Sequence, residues 1–443
     1  MSRLPGAGDR VVIWGYGRHG GGRAAARFCA TRGARVTILE AKPAQDFAEA
    51  GLETRLHGWA WHVGNGSHPA LQEADLVVPS PAIPPRAWPA SHPSIVSPEA
   101  LFLLAHRGPR VAVTGTKGKS TTARILGCLL GWRVAGNSYE PLLDLLERHG
   151  PEVPLVCELS SFQAHYLAPV LDGAAGPAFA GAVFTSLAVD HLDWHPDLAH
   201  YHQAKLRVAT WAGALAVAPE LNPRLDGRDL LPLIPYVEGV FADGLARRTD
   251  LDLLGEHNAR NAVLAITLAR HLGTPDADIA PRLRQVKPLP HRLEPVALGG
   301  GVGYINDSIA TTPESCMAAL AAVAGPLAVI LGGSDKGASY QALARAVVQR
   351  GAFPVLFGST APRLAKDFAD LGVEAPTAAT FPEAVALARA ALARATPAGG
   401  GSVLLSPACA SFDRFRGFED RGDQFRALAR ATSSNGGVAN PGK

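Results

Sequence analysis

Short runs of Val, Ile and Leu alternate along the chain with Ala-, Leu- and Arg-rich stretches of helical spacing. This is the pattern of an α/β fold built on mainly parallel sheets. Val11-Val12-Ile13-Trp14 predicts a first strand; a glycine turn follows, then a helix over 23–32. Residues 35–39 predict a second strand that ends at Glu40, and 76–78 a third, before a Pro-rich stretch to Pro98. A new start lies at 110–114, where a strand leads into a Gly/Lys turn and a helix from Ser120. Lys287-Pro288-Leu289-Pro290 reads as an interdomain linker. Beyond it, 304–305, 327–331, 355–357 and 403–405 predict the strands of a further α/β unit. No repeat of fixed period appears. The expected division is three domains, 1–106, 107–287 and 288–431, with a disordered tail at 432–443 on the composition SSNGGVANPGK.

Length agrees with this division, since 443 residues is too long for one ordinary core at about 150 residues per domain. Lys and Arg number 42 against 39 Asp and Glu, a net charge of +3, which argues against a dedicated nucleic-acid binder. Hydrophobic residues at 47% and charged ones at 18% exclude disorder for most of the chain. The five cysteines are scattered, with no C-x-x-C pair, so neither a disulfide framework nor a structural zinc site is expected. No apolar signal region precedes the first strand, and the most apolar stretch, 317–333, is broken by Gly325-Pro326. The expectation is a soluble cytoplasmic protein with no membrane or nucleic-acid partner. Only eight of the basic residues are Lys, so each one's position is informative.

Gly15-Tyr16-Gly17-Arg18-His19-Gly20 follows a strand and opens a helix, with Glu40 at the end of the next strand. This fits the dinucleotide fingerprint, but glycines and a helix N-terminus hold any nucleotide diphosphate equally well, and a plain tight turn reads the same. Gly115-Thr116-Lys117-Gly118-Lys119-Ser120-Thr121-Thr122 is a stronger signal. It is a shortened phosphate loop, with Val113 where the strict pattern has Gly. Its backbone N–H groups would cradle phosphates, Lys119 would reach the β/γ-phosphates, and Ser120 or Thr121 would ligate Mg²⁺. A dehydrogenase has no use for the second turn and a simple kinase none for the first, so the pair suggests a substrate that itself carries a nucleotide. Glu158 closes a predicted strand after the phosphate loop, the expected place for a Mg²⁺ ligand, although a lone carboxylate there is more often a solvated charge. Asp190-His191-Leu192-Asp193 forms a second polar cluster at a strand end. Lys205, on a helical stretch, reads by itself as a surface lysine.

Taken together and in order, these segments resemble the Mur ligases of peptidoglycan synthesis, over nearly the whole chain. The resemblance is carried by GTKGKST, AGN at 135–137, ELSSFQ at 158–163, DHLD at 190–193, AKLR at 204–207 and GEHNARNA at 255–262. It continues through PHRLE at 290–294, NDSIATTP at 306–313, LGGSDKG at 331–337 and SPACAS followed by FxxFxxRG at 406–422. ELSSFQ and the last segment are most similar to the branch that adds glutamate to UDP-N-acetylmuramoyl-L-alanine.

The resemblance implies a Rossmann-like N-terminal domain for the UDP end, a central phosphate-loop ATPase-like parallel sheet, and a Rossmann-like C-terminal domain for the acceptor. It implies that Arg18, His19, Glu40 and Ser80 line the uridine nucleotide site, with no NAD. Glu158 and His191 resemble the Mg²⁺ ligands of two ions, and Lys205 falls where the family has a carbamylated lysine. Asn258, Asn261, Arg292 and Asp307 resemble residues that close around ATP. Asn137, Thr311, Lys336, Ser411 and Phe418 resemble groups around the muramoyl-alanine carboxylate or the incoming glutamate. A monomer acting through an acyl phosphate is implied, with Lys119, His191 and Lys205 as catalytic residues. Ile309 stands where the usual pattern has Lys. This departure, with the unusual WGYGRHG turn, keeps L-glutamate open as an alternative to D-glutamate. Another amide ligase of the superfamily, such as a folylpolyglutamate synthetase, is the more distant alternative.

Overall fold

The computed structural model describes all residues except 1–2, 18–19, 48–49, 89–93, 226–227, 300, 336, 397–399 and 435–443. Two compact units form, one from 1–251 with 260–285 and one from 252–259 with 286–443.

The first unit contains two five-stranded sheets, each wholly parallel. The N-terminal sheet runs in the order Ala60–Val63, Arg35–Glu40, Arg10–Trp14, Leu76–Pro79, Ser94–Ile95. The central sheet runs Leu215–Val217, Gly181–Phe184, Arg110–Thr114, Leu155–Glu158, Arg133–Gly136. Parallel strands covered by helices on both faces read as unbroken apolar runs, as Val11–Ile13 and Val111–Val113 do, all buried. Helix Pro98–Ala105 joins the two sheets; Ser97 caps it by accepting from the Ala100 amide, and Pro98 occupies its first turn. A small antiparallel sheet of two-residue strands, Tyr236–Val237, Val240–Phe241 and Ala246–Arg247, has no counterpart in the sequence reading.

The second unit has a six-stranded sheet in the order Glu294–Gly299, Val302–Asn306, Ser402–Leu405, Leu327–Leu331, Phe353–Phe357, Thr377–Ala378. Its first pair is antiparallel, so the sheet is mixed rather than purely Rossmann-like; the rest is parallel. Helix Phe418–Ser434 carries regular structure through 432–434, into the segment expected as tail. The strand order reverses around Ser402–Leu405, and in open α/β sheets such a switch point opens a crevice at the carboxyl ends of the strands. Those ends carry Asn306-Asp307, Gly332-Gly333 and Ser406.

All five cysteines are free thiols. Among the described residues no helix is long and apolar enough to cross a membrane.

Candidate active site

Strand Arg110–Thr114 delivers the chain into the phosphate loop, and helix Lys119–Leu130 leads it out. Gly118 is the N-cap, at φ 86° and without a side-chain cap. A Cβ at this position would lie 2.7 Å from Asn261 Oδ1, so both the backbone angle and the close approach of Asn261 demand glycine. The turn is braced from several sides. The Thr116 amide donates to the Ser186 carbonyl at 2.8 Å, the Thr116 hydroxyl pairs with Tyr201 Oη at 2.8 Å, and Lys119 Nζ donates to the Thr116 carbonyl at 3.0 Å. A helix N-terminus with a lysine folded over it is suited to polyphosphate.

Register places the next residues. Glu158 ends its strand opposite Val113 on one side and Gly136 on the other, beside both the phosphate loop and Asn137. It is wholly buried, and its Oε1 accepts from Ser120 Oγ at 3.2 Å, Asn137 Nδ2 at 3.1 Å and Ser138 Oγ at 3.1 Å. Its Oε2 is buried without a hydrogen-bond partner. A buried carboxylate oxygen left unpaired is costly, and the hard oxygen donors of Glu158 and Ser120 suit Mg²⁺. The residues therefore fit one such ion.

Lys205, on helix Leu198–Thr210, is 2% exposed and donates to the Gly115 carbonyl at 2.7 Å. Burial, then repulsion from Lys119, holds its amine well below the usual lysine range. His191 lies within electrostatic reach of Lys205 and Lys119. It is at φ 54°, in the left-handed region, with its side chain 45% exposed. Its Nε2 lies 3.9 Å from Asp190, which also approaches Lys117 Nζ at 3.5 Å, and burial lowers its pKa. Among the described residues no three His, Cys, Asp or Glu side chains converge on a common point. Of the four expected metal-site residues, Ser120 and Glu158 are hydrogen-bonded to each other, Lys205 is bonded to the loop backbone, and His191 interacts electrostatically with Lys205.

At the N-terminal sheet, Glu40 and Ser80 gather on the glycine turn. Glu40 Oε2 accepts from the amides of Tyr16 at 2.9 Å and Gly17 at 3.2 Å. The Ser80 amide donates to the Trp14 carbonyl at 2.7 Å. Gly22 packs the following helix tightly against this turn, since a Cβ there would lie 2.3 Å from the Gly15 carbonyl oxygen. Arg18 and His19 lie outside the described residues.

In the second unit, Asp307 is 7% exposed; its Oδ2 accepts from Ser406 Oγ at 2.8 Å and its Oδ1 from the Leu293 amide at 3.1 Å. Burial pushes its pKa up to about 7. Arg421, 1% exposed, gathers the neighbouring loops. Its Nη2 donates to the Ser308 carbonyl at 2.8 Å and its Nε to Ser308 Oγ at 3.0 Å, while Nη1 reaches the Cys409 and Ala410 carbonyls at 3.1 and 3.2 Å. Ser308 Oγ also donates to the Phe418 carbonyl at 2.7 Å. NDSIATTP, SPACAS and the start of the last helix are thereby held as one cluster that contains Ser411 and Phe418 and adjoins Thr311.

The sequence matches the family model described as "Mur ligase middle domain" over 113–224 and "Mur ligase, glutamate ligase domain" over 291–409. Curated relatives include the UDP-N-acetylmuramoylalanine--D-glutamate ligases of Pelotomaculum thermopropionicum, 34% identical with 95% of this chain and 97% of that one covered, and of Rubrobacter xylanophilus, 36% identical with 95% and 98% covered. The chain belongs to the Mur ligase family. Among solved structures, its fold is similar to MurF from Acinetobacter baumannii (TM-score 0.58, 16% identity, 97% of this chain and 91% of that one) and to UDP-N-acetylmuramate-alanine ligase MurC from Thermotoga maritima (0.57, 17%, 96% and 100%).

In this Mur ligase the expected residues fall into local groups. Gly115–Thr121, Asn137, Glu158, Lys205 and Asn261 surround the phosphate loop. Asn258 is buried and donates from Nδ2 to the Leu254 carbonyl at 2.7 Å within the second unit, which also holds Arg292 beside Asp307. Helix Glu256–His271 therefore contributes to both units, which a linker placed at 287–290 does not anticipate. Lys336 lies outside the described residues. Ile309 is half-buried, and its amide donates to the His291 carbonyl at 3.3 Å. Arg421 was not singled out from the sequence. The signal was present in the spacing, because 418, 421 and 425 share one helix face and the flanking positions are Phe.

Proposed function

We propose that this Mur ligase adds D-glutamate to UDP-N-acetylmuramoyl-L-alanine at the expense of ATP, forming an amide bond in peptidoglycan precursor synthesis. The observation that carries this reading is the Glu158–Ser120–Asn137 cluster set beside the phosphate loop, in a chain whose full-length relatives bear that name. ATP and Mg²⁺ are the reagents of the family's reaction.

A carboxylate is a poor electrophile, so an alanyl carboxylate oxygen first attacks the γ-phosphorus and ADP leaves, giving an acyl phosphate. The loop amides and Lys119 serve to neutralise charge in this step. Ser120 and Glu158 would hold Mg²⁺, which supplies charge neutralisation at the phosphates. The glutamate amine then attacks the acyl carbon, its proton passes to a base (His191 or the Lys205 carbamate), and the tetrahedral intermediate collapses to the amide with loss of phosphate.

Lys205 is read as a carbamate. Its neutral amine attacks CO₂, an N–C bond forms, the π pair moves to oxygen, and the amine proton passes to water. The resulting anion, with His191, would serve a second ion. Glu40 and Ser80, together with Arg18 and His19, are assigned to the uridine nucleotide. Asn258, Asn261, Arg292 and Asp307 are assigned to ATP, and Thr311, Lys336, Ser411 and Phe418 to glutamate. The working division remains a UDP domain at 1–106, an ATP domain at 107–287 and an acceptor domain from 288, in a cytoplasmic monomer.

Phosphate release with ATP, Mg²⁺ and UDP-N-acetylmuramoyl-L-alanine tests the acceptor. D-glutamate is expected to support turnover at least about tenfold better than L-glutamate, the discrimination expected when one stereoisomer leaves site polar groups unpaired. Preference for the L-isomer would move this chain to the L-glutamate alternative, with Ile309 in place of the usual lysine as the first residue to test.

A further inference from the structure

Glu99 is a buried carboxyl that none of the preceding chemistry uses. It sits in the first turn of helix Pro98–Ala105, the link between the N-terminal sheet and the phosphate-loop strand, and is 7% exposed. Its Oε1 accepts from Gln163 Nε2 at 2.9 Å, and its Oε2 is buried without a hydrogen-bond partner. The groups acting on its ionisation are Gln163, Ser97 and its own backbone, with no cation among them. Burial in such a place, with no positive charge among the groups that act on it, shifts the carboxyl towards its protonated form despite these hydrogen bonds.

Gln163 is equally constrained. Its Oε1 accepts from the Ser160 amide at 2.8 Å and from Ser160 Oγ at 3.0 Å, completing the capping box at the start of helix Ser161–Leu171. A capping box needs only the glutamine oxygen. Here the other end of the amide is also buried and is fixed by a residue 64 positions earlier. A line of hydrogen bonds therefore runs from the inter-sheet link through Gln163 to Ser160, two residues beyond Glu158.

We propose that Glu99 is a positioning residue: its carboxyl oxygen sets the orientation of the Gln163 amide, and through it holds Ser160 and the helix N-terminus beside Glu158, where the carboxylate of the UDP-linked substrate is activated. This rests on the ligase reading above. The role requires an acceptor oxygen at position 99.

Four variants test it: Glu99→Gln, Glu99→Leu, Gln163→Leu and the double Glu99→Leu/Gln163→Leu. Each is assayed for KM of UDP-N-acetylmuramoyl-L-alanine and of ATP, for calorimetric binding of the UDP-linked substrate, and for Tm. Glu99→Gln, which keeps an acceptor, is expected to behave as wild type. Glu99→Leu and Gln163→Leu are each expected to raise KM and Kd for the UDP-linked substrate about tenfold, the effect of leaving one buried polar group unpaired, with ATP KM unchanged. The double variant should be no worse than the poorer single. Additive losses in the double, equal damage from Gln and Leu at 99, or a rise in both KM values together with a lowered Tm would each overturn the proposal. Wild-type turnover is the control for the ligase reading. Its absence overturns that reading, whereas normal wild-type turnover with Glu99→Gln as impaired as Glu99→Leu overturns the role of Glu99 alone.

Discussion

Lys119→Ala is expected to reduce ADP formation by at least about a thousandfold, the scale for removing a main electrostatic contact to a transferring phosphoryl group. Binding of the UDP-linked substrate should persist nearly unchanged. The asymmetry follows from placement. Lys119 opens the helix behind the phosphate loop and folds over that loop at the Thr116 carbonyl. The glycine turn with Glu40 and Ser80 belongs to a different sheet. Calorimetry with the UDP-linked substrate and a coupled ADP assay read the two sites separately. Loss of both functions with an unchanged Tm would show that the division into a UDP site and an ATP site is wrong.

Lys205→Ala is expected to lower kcat by about a hundredfold or more, and a short carboxylic acid such as acetate should restore part of it by supplying the missing anion. The sign of the lysine's perturbation matters here. Carbamylation needs the neutral amine, and burial, with repulsion from Lys119, shifts the lysine towards that form. Activity should accordingly fall when CO₂ is stripped from the buffer and return on adding bicarbonate, and the intact protein should carry the mass of one CO₂ under gentle ionisation. If Lys205→Ala is not rescued by any small acid and bicarbonate has no effect, the lysine acts as an amine. Its 2.7 Å bond to the Gly115 carbonyl would then be its whole role.

Much of this molecule was legible in its sequence because parallel sheets buried on both faces write themselves as apolar runs ending in polar turns. Val11–Trp14, Arg110–Thr114 and Leu327–Leu331 are of this kind, and the residues that matter follow them directly. Edge strands were not legible. Ala60–Val63 and Arg133–Gly136 carry polar or small residues and owe their conformation to a neighbouring strand rather than to their own propensity. The antiparallel strand Glu294–Gly299 was hidden in the same way, by Pro295 and a bulge.

The candidate site shows the same limit. The phosphate-loop motif identified Lys119 directly, whereas Glu158 at a strand end and Lys205 on a helix gained their roles only from the resemblance of the whole series of segments. What holds them is not local. Ser120 and Glu158 are 38 positions apart, Lys205 and Gly115 are 90, and Arg421 and Ser308 are 113. Such pairings are set by sheet register and helix packing, which no single stretch of sequence specifies.

The central claim is that ATP activates the carboxylate of the UDP-linked substrate before the amine attacks. It is tested most directly by labelling the alanyl carboxylate of UDP-N-acetylmuramoyl-L-alanine with ¹⁸O and analysing the phosphate released in the presence of D-glutamate. Transfer of one ¹⁸O to each phosphate is the expected result, because the oxygen that attacks the γ-phosphorus leaves with it. Phosphate free of label, with amide product still formed, would contradict an acyl phosphate and with it the roles assigned to Lys119, Ser120 and Glu158.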